Sequence, residues 1–78
     1  MEINDLIKKL ANEFEEVPAG TLKPETSFRE LKEWSSMHAL IIIALVDTEY
    51  DVILNGEDLR SVTTIQDLFD FIKRKKGL

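Results

Sequence analysis

The chain has 78 residues, 44% of them hydrophobic, with no cysteine and one histidine, which excludes disulfides, thiolate metal sites and multi-histidine metal clusters. That length holds one core, so we expect a single domain over residues 1–78. The net charge is -5, and four of the ten cations lie in residues 73–78. Residues 1–72 therefore hold six cations against fifteen acids. An acidic surface of this kind repels nucleic acid and anionic membranes.

Apolar residues at helical spacing predict a first helix near the N-terminus. They are Ile3, Leu6, Ile7, Leu10, Ala11 and Phe14. Pro18, Gly20 and Pro24 then interrupt the pattern, and residues 17–34 form a long connection. Because a structureless loop of that length is unusual in a small domain, and because this one contains apolar residues, we expect it to pack across the core.

The apolar run 39–46 fits either a buried strand or a helix by periodicity alone. Ser35 and Ser36 are candidates for a helix N-cap, which favours the helix. The helical spacing also continues to Tyr50, and no second strand pattern is present for pairing. We therefore predict a helix over about 36–50. With eight residues, the run is too short for a membrane-spanning helix, which needs about 20, and we expect no membrane insertion.

Turn and capping signals predict the last two helices. Asn55-Gly56 is a turn signal, and the acidic residues after it fit a short helical turn. Thr64 and Asp67 have capping-box spacing, and an apolar stripe follows as far as Gly77. We interpret the basic end as charge that complements a helix C-terminus rather than as a nucleic-acid site. The prediction is an all-α protein, a small four-helix bundle with three long helices, one short one and a long loop between the first two.

Several motifs follow one another without a gap from Trp34 onwards. Tryptophan, one residue, then Ser36-Met37 at the head of an apolar helix resembles the Trp-Asp-Ser-Leu motif of acyl carrier proteins. Further along, Glu49–Val52, Glu57–Leu59 and Val62–Gln66 resemble the family's Glu-Phe-Gly-Ile, acidic short helix and Ile-Thr-Thr-Val-Gln. The first helix and the long loop match in length and apolar spacing, so the resemblance covers essentially the whole chain.

The resemblance implies a carrier that bears a covalent 4′-phosphopantetheine, transferred from coenzyme A by a phosphopantetheinyl transferase. Because residues 1–10 show no signal-peptide pattern, we expect a cytoplasmic protein. Matched through Trp34, the modified serine falls on Ser36, the family's aspartate on Ser35 and its leucine on Met37. Ser35 is then the helix cap and the second candidate for attachment. Acyl-loading and acyl-transferring enzymes would deliver and remove a thioester cargo, as in fatty acid biosynthesis.

Two other functions fit the same motif. Ser36-Met37 also resembles D-alanyl carrier proteins, which implies an aminoacyl cargo and an aminoacyl-loading enzyme. Ser35 replaces an aspartate that the family associates with recognition by the transferase, so an unmodified adaptor of the same fold that binds partner enzymes is a second alternative.

A serine hydrolase would need a serine paired with His38. On a helix, Ser36 and His38 point to nearly opposite sides, and although Ser35 lies three residues from His38, no local acid is placed to orient the ring. The chain also lacks a Gly-x-Ser-x-Gly motif. We therefore expect no enzyme activity, and we expect His38 to be exposed to solvent.

Eight consecutive apolar residues cover more than the full circumference of a helix, so some must face away from the core. Either the long loop covers the residues that face away from the core, or they form an exposed surface. We predict a partner-docking surface on this helix. Its residues are Met37, Leu40, Ile41, Ala44, Asp47 and Glu49. Core packing explains Ile41 least, and we expect a monomer.

Overall fold

The computed structural model describes residues 2–14, 20, 22–31 and 34–77. Four α-helices lie in this part of the chain: α1 (Ile3–Glu13), α2 (Ser36–Tyr50), α3 (Gly56–Arg60) and α4 (Ile65–Lys76). The predicted all-α bundle of three long helices and one short one is confirmed. The predicted helix break at Pro18 lies outside the described residues.

The helices enclose one apolar core. α1 packs against α2 and α4, while α3 packs against α2. The most deeply buried side chains come from three helices and from the segments that follow α1 and precede α2: Leu6, Leu10, Phe14, Phe28, Ile42, Val46, Ile65, Leu68 and Ile72. Burying one such side chain stabilises the fold by about 1.5–3 kcal/mol. Because Leu22 and Phe28 belong to this core, the long connection packs across it as predicted.

Side chains of the long connection hold it against the junction between α3 and α4. The Arg29 guanidinium donates to the carbonyl of Arg60 at 3.1 Å and also to the carbonyl of Val62. Ser27 forms an antiparallel bridge with Thr64, the one strand-like pairing in the part of the chain that the structure describes. Arg29 belongs to a 3-10 turn at Phe28–Glu30, and Ser27 is the residue before that turn. These contacts fix the path of the chain towards the start of α2.

The C-terminal end of α2 is bound by side chains from α1 and α4. Lys76 Nζ of α4 donates to the Tyr50 carbonyl at 2.8 Å, and Lys9 Nζ of α1 lies 4.7 Å from the centre of the Tyr50 ring. Asp51, in the left-handed conformation, ends the helix. The basic residue Lys76 thus complements a helix C-terminus, that of α2. No helix among the described residues is long and apolar enough to cross a membrane.

The predicted cap of α4 is present, and α3 begins with a similar cap at Asn55 that was not predicted from the sequence. Asn55 Oδ1 accepts from the Asp58 backbone N–H at 2.8 Å, and Asp58 Oδ2 accepts from the Asn55 backbone N–H at 3.2 Å. Thr64 Oγ1 accepts from the Asp67 backbone N–H at 3.1 Å, and Asp67 Oδ2 accepts from the Thr64 N–H at 3.2 Å. These reciprocal pairs satisfy N–H groups that a helix start otherwise leaves open.

The cap of α4 predicts a pH dependence of stability. Hydrogen bonds from the backbone N–H groups of Thr64 and Thr63 hold the pKa of Asp67 below its ordinary value of 3.8. A carboxyl group with a lowered pKa in the folded state stabilises the fold above its unfolded pKa and loses that contribution as the pH falls through its folded pKa. We expect Asp67→Asn to lower the urea midpoint at neutral pH, with the difference from wild type vanishing in acid. A difference that persists unchanged in strong acid would contradict this assignment.

Candidate functional site at the start of α2

The two serines at the start of α2 both face solvent. Ser35 is the N-cap residue, with extended backbone angles (φ −147°, ψ 172°), and Ser36 is the first helical residue. Backbone N–H groups and the positive end of the helix dipole meet at this position, which suits an attached phosphate. Within the described part of the chain, the Ser36 hydroxyl makes no hydrogen bond. The Ser36 hydroxyl is therefore accessible from solvent.

The expectation that His38 is exposed is wrong: its side chain is buried, with 9% of its surface exposed. The imidazole meets the ring of Phe14 edge to face, with the centroids 4.7 Å apart, and it stacks beside Trp34 at 6.0 Å. Two positions along a helix reverse the direction of a side chain, so Ser36 on the outer side places His38 on the inner side. Phe14 and Trp34 supply an aromatic slot that accommodates the ring.

His38 binds the residue that caps α2. The Ser35 hydroxyl oxygen lies 2.9 Å from His38 Nδ1, and the Ser35 backbone N–H donates to the same nitrogen at 3.2 Å. A backbone N–H is a donor only, so Nδ1 is the acceptor and the ring proton of the neutral imidazole lies on Nε2. This is the returning half of a capping box, with histidine at the position usually held by glutamate or glutamine.

The 2.9 Å between the Ser35 hydroxyl oxygen and His38 Nδ1 is also a distance that a serine hydrolase uses between its nucleophile and its base. Here, however, the lone pair of Nδ1 already accepts the Ser35 backbone N–H. A general base needs that lone pair for the hydroxyl proton alone. The pair therefore fits a helix cap better than a catalytic dyad. No group of three or more potential metal ligands lies together among the residues placed by the structure.

An apolar strip runs along the outer side of α2, starting beside Ser36. Met37 and Leu40 expose 67% and 66% of their surface, and Ala44 and Asp47 are also exposed. At 3.6 residues per turn these four side chains fall within a sector of roughly 80°. We call Met37, Leu40, Ala44 and Asp47 the α2 strip. Its single charge is Asp47, at the end farthest from Ser36.

The other two residues of the predicted docking surface, Ile41 and Glu49, lie outside this sector of the helix. Ile41 is half-buried, packs against the core and lines a groove of about 380 Å³ between α1 and α2. Glu49 lines the same groove and forms an ion pair with Lys9 of α1, with 3.6 Å between Nζ and Oε1. Ala44 of the α2 strip also lines this groove, whereas Met37, Leu40 and Asp47 do not. Core packing and the groove also account for Ile41, contrary to the expectation from the sequence.

No protein-family model matches the chain. Among curated proteins, it is similar to an acyl carrier protein from Nitratidesulfovibrio vulgaris (strain DP4), with 25% identity over 76 residues. That alignment covers 97% of this chain and 100% of the relative. The similarity therefore extends over the full length of the relative, and it supports the resemblance to acyl carrier proteins seen in the sequence motifs.

Proposed function

We propose that this chain is a freestanding acyl carrier protein whose Ser36 receives 4′-phosphopantetheine from coenzyme A. The observation that carries the proposal is the placement of Ser36. It is the exposed first residue of α2, its hydroxyl is free of hydrogen bonds to the described residues, and it follows a cap residue whose hydroxyl is engaged. The full-length similarity to a protein named acyl carrier protein supports the same role.

The protein's part in modification is to present one hydroxyl. Attachment forms a bond between Ser36 Oγ and the phosphorus of the pantetheine arm, and it breaks the pyrophosphate bond of coenzyme A. Adenosine bisphosphate leaves, and the hydroxyl proton passes to the transferase or to solvent. Because the transferase provides the base, Ser36 needs no histidine of its own, which agrees with a His38 that serves the cap instead.

Two features of the site suit the attached group. The N–H groups of the first turn of α2, and the helix dipole, favour a phosphodiester at Ser36 by about 0.3–1 kcal/mol. When bound, the arm would supply a thiol that holds the acyl cargo as a thioester. No other side chain of this site is needed for that chemistry.

The test is to incubate the apo protein with coenzyme A, magnesium and a broad-specificity phosphopantetheinyl transferase, and then to measure its intact mass. We expect a gain of one phosphopantetheine, followed by a further gain when an acyl-loading enzyme and its acyl donor are added. Loading by an aminoacyl donor alone would assign the cargo to amino acids. No gain with this enzyme or with the cognate transferase would favour an unmodified adaptor.

We also propose that partner enzymes dock on the α2 strip through apolar contact. The exposed Met37 and Leu40 lie next to the attachment residue, and this end of the strip is uncharged. A partner would therefore present an apolar recess here, and its affinity would depend less on salt than that of a charged interface.

Leu40→Ser tests the docking surface. We expect the variant to lower kcat/KM for modification more than about fivefold, mainly through KM, because it removes an apolar anchor from the transferase contact. Its urea midpoint should stay close to wild type, since the side chain is mostly exposed. Ile53→Ser is the matched control, because Ile53 is 81% exposed but lies outside α2. Equal modification rates for Leu40→Ser and wild type would contradict the proposal that the transferase docks on the α2 strip.

A further inference from the structure

We propose that His38 is a positioning residue for the modification: it holds Ser35 in the cap of α2 and so makes Ser36 the acceptor serine. This inference rests on the proposed function, and it concerns which hydroxyl is modified and what keeps that hydroxyl in place. Ser35 and Ser36 are adjacent and both exposed, so exposure alone does not distinguish them.

Hydrogen bonding distinguishes the two serines. The Ser35 hydroxyl lies 2.9 Å from His38 Nδ1, and the Ser35 backbone is bound to the same atom. Both the side chain and the main chain of Ser35 are therefore committed to the cap. The Ser36 hydroxyl has no such partner among the residues described. A transferase that meets this surface finds one serine held and its neighbour available.

The acceptor nitrogen is held by packing. The imidazole of His38 is almost fully buried, with the Phe14 ring against it and Trp34 stacked beside it. Phe14 ends α1 and Trp34 ends the long connection, so two separate parts of the chain fix the ring. A side chain locked in this way loses little further freedom on forming a hydrogen bond, which makes the cap preorganised.

The role of His38 depends on the residue type at position 35. Because Nδ1 accepts the Ser35 backbone N–H, the Ser35 hydroxyl 2.9 Å away is placed to donate to the same nitrogen. An aspartate carboxylate has no proton to donate to Nδ1, although it caps the N–H groups of the first turn as well as serine does. With aspartate at position 35, the side-chain bond that His38→Phe removes would already be absent. We therefore expect the loss of the imidazole to matter less in that background.

The first experiment reads the cap directly and does not involve modification. Long-range proton–nitrogen NMR spectra of the apo protein at neutral pH report which ring nitrogen of His38 carries the proton. We expect the proton on Nε2, with Nδ1 unprotonated and accepting. Amide exchange at the start of α2 should quicken about fivefold in His38→Phe, which keeps a ring in the slot but has no acceptor. A proton on Nδ1 in the wild type would overturn the proposal.

The second experiment measures kcat/KM for phosphopantetheine attachment. We expect His38→Phe to lose about fivefold and His38→Gln, which completes a Ser-x-x-Gln capping box, to stay within about twofold of wild type. In a Ser35→Asp background, His38→Phe should change the rate by less than about twofold. Ile72→Val, a core change on α4, is the control for lost stability alone, and it should leave the rate unchanged.

The two experiments separate the proposals. If the wild type gains mass and His38→Phe is modified at the same rate, the role of His38 is overturned and the carrier function stands. If a rate loss in His38→Phe is the same with serine or aspartate at position 35, His38 does not act through Ser35. If the wild type gains no mass with any transferase, the proposed function fails, and the acceptor role of Ser36 fails with it.

Discussion

Ser36→Ala is expected to gain no phosphopantetheine under conditions in which the wild type is fully modified. In the proposed function the Ser36 hydroxyl oxygen is the atom that bonds to phosphorus, so its removal would eliminate the reaction rather than slow it. Ser35→Ala should still gain one group, about fivefold more slowly, because it weakens the cap but keeps the acceptor. Intact mass spectrometry with a time course distinguishes the two results.

The control for Ser36→Ala is that the variant remains folded. Ser36 is exposed, and alanine is the best helix former, so Ser36→Ala should leave the helical circular dichroism unchanged. If folded Ser36→Ala protein still gains one full equivalent of phosphopantetheine, and the group maps to the adjacent Ser35, then Ser35 and not Ser36 is the modified serine.

Ile42→Ala should destabilise the fold more than any surface substitution. Ile42 lies on α2 and its side chain is fully buried in the core. Truncating a buried isoleucine to alanine costs about 2–5 kcal/mol of folding stability. A domain of this size has a total free energy of unfolding of roughly 4–12 kcal/mol. We therefore expect a large fraction of the protein to unfold at moderate urea, as measured by circular dichroism.

Ile53→Ala is the matched control, because it makes the same chemical change where 81% of the side chain is exposed. Its free energy of unfolding should stay within about 0.5 kcal/mol of wild type. Similar losses for the two variants would mean that Ile42 does not occupy the core position described.

The helices were predictable from the sequence because their signals are local. The spacing of apolar residues in α1 and α4 follows one face of a helix, and Thr64 with Asp67 marks a start by side-chain chemistry alone. The start of α2 at Ser36 follows in the same way from the N-cap preference of Ser35. None of these signals requires knowledge of which elements meet in space.

The burial of His38 could not be predicted because its cause is not local. The slot is made by Phe14 at the end of α1 and by Trp34 at the end of the connection, and their meeting depends on the packing of the whole bundle. The contacts of Arg29 with Arg60 and Val62 were missed for the same reason. The three-residue spacing of Ser35 and His38 was the one available signal.

The orientation of α2 was also hidden from the sequence. An apolar run that surrounds the helix has no preferred face, so periodicity does not tell which side meets α1. The structure shows that Ile41 and Glu49 face the α1 side, where Glu49 pairs with Lys9, while Met37 and Leu40 remain exposed. Periodicity alone therefore did not indicate which of the six predicted docking residues lie beside α1.

The most direct test of the proposed carrier function is the intact mass of this protein purified from the cells that make it, where any cognate transferase would act on it. We expect the purified chain to be heavier by the mass of one phosphopantetheine. The added mass should lie on the proteolytic peptide that contains Ser36, and it should be absent from the Ser36→Ala variant. An unmodified chain, isolated from cells whose transferase modifies other carrier proteins, would contradict the proposed function.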